Sequence, residues 1–289
     1  MLIAPAAGLI RPGIQVMILA DGPLSELNFE TLIVPGNIPG QPLHYWIDDA
    51  TVMSAPSLAM LAAAKPRRIA PGHAAGGERG KLLLLGDAIS PGEEFPQLPF
   101  ASLEMTQIEK HFPAGDEVVI RREQATPDKY AASDPRKFSY IHFVSHGVAS
   151  RTDPLDSAII LSRPKAAPNG TATEDSFKLY AREVMQHPID ARLVTISACN
   201  GSGTRAYAGE GLVGLSWAFL RAGAHSAIGG LWEVSDESTP RLMDTLYQGM
   251  EDGQSPAAAL RQAKLNLLHS RSNFRKPFYW APFQIYTRM

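Results

Sequence analysis

The stretches YIHFVSHG (140–147) and ARLVTISACNG (191–201) decide the reading of this chain. Each opens as an apolar, β-branched run of the kind that forms a strand buried on both faces. Each then ends abruptly in residues that carry chemistry: His146-Gly147 in the first, Ala198-Cys199-Asn200-Gly201 in the second. In an open parallel sheet, reactive groups collect outside the carboxyl ends of the strands, where the chain leaves the core and loops open a crevice. A thiol and an imidazole at the ends of neighbouring strands would face each other there.

Working outward, further short apolar runs alternate with helical patterns, the signature of an α/β protein with a largely parallel sheet. The strand candidates are QVMILA (15–20), KLLLLGD (81–87), EVVIRR (117–122), YIHFVS (140–145), SAIILS (157–162), ARLVTIS (191–197), SAIGGLW (226–232) and FQIY (283–286). Met105, Ile108 and Phe112 share a helical face that Pro113 ends, and Leu212, Leu215, Phe219 and Leu220 form a second stripe with Gly223 just beyond it. Thr126-Pro127, Thr239-Pro240 and Ser255-Pro256 each set a capping hydroxyl before a proline suited to a first helical turn.

The basic, Gly-rich segment KPRRIAPGHAAGGERG (65–80) has no periodicity and reads as a linker. It separates an N-terminal region, 1–64, from an α/β unit, 81–289. A polar loop, RPKAAPNGTATEDS (163–176), is expected to be exposed and mobile.

Composition narrows the function classes. The 289 residues are 45% hydrophobic and 19% charged with a net charge of -2, which lacks the basic footprint of a nucleic-acid binder. No uninterrupted apolar stretch reaches the roughly 18 residues that a spanning helix needs. The N-terminus has no charged segment before its apolar run, so no signal peptide and no membrane association is expected. A single cysteine excludes an intrachain disulfide and a cysteine-based metal cluster, and favours the cytoplasm, where a thiol stays reduced.

An imidazole near Cys199 would lower the thiol pKa or accept its proton during attack. Gly147 would let a substrate carbonyl approach the backbone, so that its N–H and that of Cys199 could donate to an oxyanion. A lone cysteine is more often a small core residue, and a lone histidine a hydrogen-bonded structural one. The conjunction of the two at glycine-flanked strand ends, in this order and 53 residues apart, favours a functional pair. His142 lies mid-strand and reads as a packed core residue; His111 and His225 read as surface or helix-end residues.

At these residues the sequence resembles the CHAT family of caspase-like peptidases, a group that also takes in caspases and separases. The matching stretches include YIHFVSHG, DPLDSAIILS, LVTISACNGSG, GEGLVGLSWAFLRAGAHSAIGGLWEVSDEST and KPFYWAPFQIY. The order and spacing agree with caspases, whose histidine precedes the cysteine by about 50 residues. The resemblance implies a caspase-like, mostly parallel six-stranded sheet flanked by helices, with 1–64 as a degenerate caspase-like half. It implies His146 as general base, Cys199 as nucleophile, and peptide-bond hydrolysis through a thioacyl-enzyme without metal or organic cofactor. Family members often carry tetratricopeptide repeats or other sensor modules, and many act in bacterial defence or regulated death. A protein substrate and a sensor or activator are therefore the expected partners, with the isolated chain weakly active until the loops 163–176 and 200–211 are ordered. Asn200-Gly201 departs from the acidic residue and threonine that many members place after the cysteine.

Asp153, Asp156, Glu210 and Asp236 lie near the catalytic loops in sequence and could recognise a basic side chain or brace the loops, whereas Arg205 and Arg151 could select an acidic one. Asn200 would shape the same pocket. Two rival readings stand beside the peptidase. One is a catalytically inactive interaction scaffold of the same fold. The other is a nucleotide-binding module, since Gly201 to Ala206 match G-x-G-x-x-A after a strand, although the apolar stripe begins too late for that turn to open into a helix.

Overall fold

The structure, a computed structural model, describes residues 2–6, 8–11, 13–20, 22–35, 42–58, 61, 80–150, 152–165, 175–199 and 211–288. Strands β1 (Gln15–Ile18), β2 (Ile33–Val34), β3 (His44–Tyr45) and β4 (Thr51–Ser54) come from the N-terminal region. There follow β5 (Leu82–Gly86), α1 (Ala101–Glu109), β6 (Glu117–Arg121), α2 (Pro127–Ala132) and β7 (Tyr140–Val148). Next come β8 (Ala158–Ile160), β9 (Lys178–Tyr180), α3 (Ala181–Val184), β10 (Leu193–Cys199) and α4 (Gly211–Ala222). The chain ends with β11 (Ser226–Gly230), α5 (Thr239–Glu251), α6 (Pro256–Leu268), α7 (Pro277–Trp280) and β12 (Phe283–Thr287).

The main sheet runs β1-β4-β12-β11-β10-β7-β5-β6, with β8 on β7 and β9 on β8. It is mixed but mostly parallel: β12 runs antiparallel to β11, and β8 antiparallel to β7. The six strands β12-β11-β10-β7-β5-β6 all come from 81–289, yet the sheet does not stop at six. The antiparallel β12 presents an edge that β4 takes in parallel at Tyr286↔Ser54, and β1 follows, so the N-terminal region prolongs the same sheet, ten-stranded among the described residues. An unpaired row of N–H and C=O groups is a ready template for such an addition.

Two helical layers cover the sheet. Ile141 and Phe143 of β7 and Val194, Ile196 and Ala198 of β10 face one layer, which holds Tyr130, Val184, Leu215 and Phe219 of α2, α3 and α4. Leu82, Leu84 and Val144 face the other, which holds Met105 and Ile108 of α1, Leu242 and Leu246 of α5 and Leu260 of α6. Alternate residues of one strand thus feed opposite layers, as a two-residue period requires. Thr126 and Ser255 cap α2 and α6 as expected, accepting from the N–H groups of Lys129 and Ala258. Thr239 does not cap α5; it is the first helical residue, and its hydroxyl donates to the Ser235 carbonyl instead. Gly223 ends α4 at φ +132°, where a Cβ would sit 2.0 Å from the Ile189 carbonyl oxygen, so both conformation and space demand glycine.

The N-terminal region is tied down by buried polar contacts. Glu30 pairs with Lys264 of α6, both almost fully buried, and accepts from Gln284 Nε2 at 2.9 Å. Asn28 Nδ2 donates to the Ala281 carbonyl, and Arg261 donates to the carbonyls of Ile47 and Asp48. Residues 65–79 of the segment read as a linker lie outside the described residues, as does 166–174 of the polar loop.

Candidate functional site

Strands β7 and β10 run longer than the apolar pattern alone suggests. His146 and Gly147 are still in β7, and Cys199 is the last residue of β10. The ladder between them pairs Leu193 with Tyr140 and continues in register to Cys199 with His146. Partners in a parallel register share a face of the sheet, so positions 146 and 199 lie side by side on the face of Val144.

His146 is 6% exposed and sits at the edge of an open cleft also lined by Asp87, Phe95, Pro96, Leu98 and Ile160. Its Nε2 lies 2.6 Å from the Pro96 carbonyl oxygen, a distance that assigns Nε2 as the protonated, donating nitrogen. The Phe95 ring packs against the imidazole with centroids 5.9 Å apart. A carbonyl and an aromatic ring thus fix the orientation of this side chain.

Val144 accepts from the Asp87 N–H on the β5 side of β7. Backbone groups of successive strand residues point to opposite edges, so the Gly147 N–H faces the other side, towards the end of β10. Gly147 is opposite Ile159 of β8.

The residues considered for substrate selection separate in space. Asp236 follows β11, and its Oδ2 accepts from the Phe100 N–H at 2.8 Å, at the start of α1. Partial burial pushes its carboxyl above the usual carboxylate range, opposed by that N–H and by the electrostatic influence of His146. Asp153 caps its own turn, accepting from the Leu155 N–H at 2.9 Å, and Asp156 pairs with Arg182 of α3. Asn200, Arg205 and Glu210, together with Arg151 and the Gly201–Ala206 match, lie outside the described residues.

Several residues of this region carried little signal in the sequence. Pro96 contributes a carbonyl, which any residue would supply. Asp87, at φ +48°, holds Gln97 Nε2 at 3.2 Å and Arg122 Nη1 at 3.1 Å at the cleft edge. Glu104 is buried in the first turn of α1 against His142. His142 is fully buried, as its mid-strand place suggests, while His111 lies just past α1 but is buried between Asp244 and Glu251.

Fold and site together define an α/β protein whose candidate chemistry stands at the carboxyl ends of two adjacent parallel strands. The chain belongs to the CHAT-domain family, whose model matches residues 1–288, and the resemblance seen in the SHG and SAC stretches is thereby borne out. Among curated proteins, Homo sapiens tetratricopeptide repeat protein 28 is 24% identical over 158 residues, 55% of this chain and 6% of that protein. Among solved structures, the Arg-specific cysteine proteinase gingipain R of Porphyromonas gingivalis matches 72% of this chain and 45% of its own at 8% identity and a TM-score of 0.44. Separase of Saccharomyces cerevisiae, in its complex with securin, matches 82% of this chain and 14% of its own at 13% identity and a TM-score of 0.48. The chain therefore spans less than half the length of each of these three proteins. Among the described residues, no helix is long and apolar enough to cross a membrane.

Proposed function

We propose that this chain is a cysteine endopeptidase with Cys199 as nucleophile and His146 as general base. The observation that carries the reading is the in-register pairing of Cys199 with His146 at the ends of β10 and β7. Membership of the CHAT family supports it.

In this scheme the Cys199 sulfur attacks the carbonyl carbon of a peptide bond while the His146 imidazole takes the thiol proton. The N–H groups of Gly147 and Cys199 stabilise the oxyanion. Collapse expels the amine, which leaves with the proton from the imidazolium, and a thioacyl-enzyme remains. Water activated by His146 then cleaves the thioester, releasing the acid and restoring the thiol. With Nε2 carrying the proton donated to Pro96, Nδ1 carries the imidazole lone pair and is the nitrogen that takes the thiol proton. The scheme needs no metal or organic cofactor.

Asp236, held at the start of α1 and electrostatically coupled to His146, is read as favouring a basic residue before the scissile bond. The partners are then a protein substrate and a sensor or activator protein, in a cytoplasmic defence or regulated-death pathway.

Labelling with acyloxymethyl-ketone probes bearing basic, acidic or apolar residues tests this reading. The expected result is preferential labelling by the basic probe, with or without an added activator, that depends on His146. A folded chain that no probe labels and that cleaves no peptide in a diverse library would instead leave an inactive scaffold.

A further inference from the structure

Beneath the cleft runs a buried polar chain that the proposed chemistry does not use. Glu104 is 2% exposed, in the first turn of the helix that begins beside the cleft-lining Leu98. His142 Nε2 lies 3.1 Å from its Oε1, and Ser197, on the same face of β10, stands close enough to draw the carboxyl pKa down. His142 Nδ1 reaches the buried Tyr247 hydroxyl of α5 at 3.0 Å. His142 precedes His146 by four residues on β7, and Ser197 precedes Cys199 by two on β10. With a two-residue strand period, all four positions are on one face.

One carboxylate therefore ties α1 to the strand of His146 and stands beside the strand of Cys199. An apolar residue would fill the place at lower cost, since a buried carboxylate loses its hydration. That loss pushes the Glu104 carboxyl upward against the opposing pull of His142 and Ser197, with Asp236 raising it further. A costly polar network held inside a core fixes geometry more than it adds stability.

Resting on the dyad reading, we infer that Glu104 is a positioning residue: through Ser197 and His142 it sets the end of β10 against the end of β7, and so the approach of Cys199 to His146. Misplacement of reacting groups by about 1 Å is enough to cost roughly 100-fold in rate.

The single thiol makes this measurable in the full chain, as the rate of Cys199 alkylation by iodoacetamide across a pH series. Ser197→Ala, a small change that threatens folding least, is expected to slow His146-dependent alkylation several-fold with little change in melting temperature. Glu104→Ala is expected to slow it by about tenfold or more, and adding Ser197→Ala to it to slow it no further, because both remove one tie. Glu104→Gln is expected to restore most of the rate, since its amide can accept from His142 and donate to Ser197. A wild-type rate in Ser197→Ala, an additive double variant, or a Gln variant as slow as Ala would each overturn the inference. If Glu104→Ala does not fold, Ser197→Ala and Glu104→Gln still decide it. Alkylation of His146→Ala at the wild-type rate would instead sink the dyad itself, and the inference with it.

Discussion

Cys199 and His146 are the final Cα partners of a parallel ladder that begins with Leu193 and Tyr140. Their relative position is thus set by regular strands with buried neighbours on both sides rather than by a loop. Sites built on such elements are held more precisely than sites on loops, and a proton transfer between thiol and imidazole depends on that. The same ladder makes the site sensitive to any change that displaces β7.

Gly86 is one place where that sensitivity is exposed. A Cβ there would meet the Val144 carbonyl oxygen at 2.4 Å and the Val144 Cβ at 2.7 Å, on the strand that carries His146 two residues later. Gly86→Ala is expected to lower stability by about 1–3 kcal/mol, the usual range for overpacking, and to slow labelling of Cys199. Urea unfolding read beside the labelling rate checks both, and unchanged values would show that β7 yields without consequence.

The N-terminal region is expected to unfold together with the rest. Lys264→Met leaves Glu30 buried without its cation, and breaking such a pair costs about 3–5 kcal/mol. Adding Glu30→Gln is expected to recover a large part of that loss. Chemical denaturation of the three proteins measures it. A separate early transition for residues 1–64, untouched by Lys264→Met, would show that the two regions fold independently.

Glu104 gives a pH dependence with a definite sign. Its carboxyl is pushed above the ordinary value by burial, partly offset by His142 and Ser197 and reinforced by Asp236, with Tyr247 behind His142. A carboxyl that binds its proton more tightly in the folded state contributes stability that is complete at pH below the ordinary carboxylate range. That contribution is lost as pH rises through the folded value. The stability of the wild type relative to Glu104→Gln is therefore expected to fall from acidic towards neutral pH. Urea midpoints of both proteins across that range test it; a rising difference would contradict the assignment.

How much of this was readable beforehand varies by residue. YIHFVSHG and LVTISAC carry the fold and the pair, because a buried central strand must be apolar throughout and chemistry must stand at its end. The place of β4 beside β12 was not readable: TVMS is short, and its partner is more than 200 residues away. The stripe Met105, Ile108 and Phe112 marked α1, but Glu104 beside it looks like an ordinary first-turn acid, favourable to the helix dipole. Only the packing of α1 on β5 and β7 shows that it points into the core. Asp153 and Asp156 stood close to His146 in sequence, yet the turn they occupy uses them locally.

Asp236 sets the selectivity prediction. Asp236→Asn is expected to reduce labelling by a probe with a basic residue before the reactive group by about 10–100-fold, as loss of a charged hydrogen bond worth roughly 1.5–3 kcal/mol would do. Labelling by an apolar probe is expected to change far less. Equal losses for both probes would mean that Asp236 supports α1 through Phe100 and reads no substrate.

The central claim is that the His146 imidazole serves the Cys199 sulfur. The most direct measurement is the second-order labelling rate of Cys199 by an acyloxymethyl ketone, compared between the wild type and a folded His146→Ala variant as pH is varied. A fall of about 100-fold or more in the variant at neutral pH, with loss of the acid limb of the pH profile, is the expected result. Labelling of His146→Ala at the wild-type rate, with the same pH profile, would contradict it.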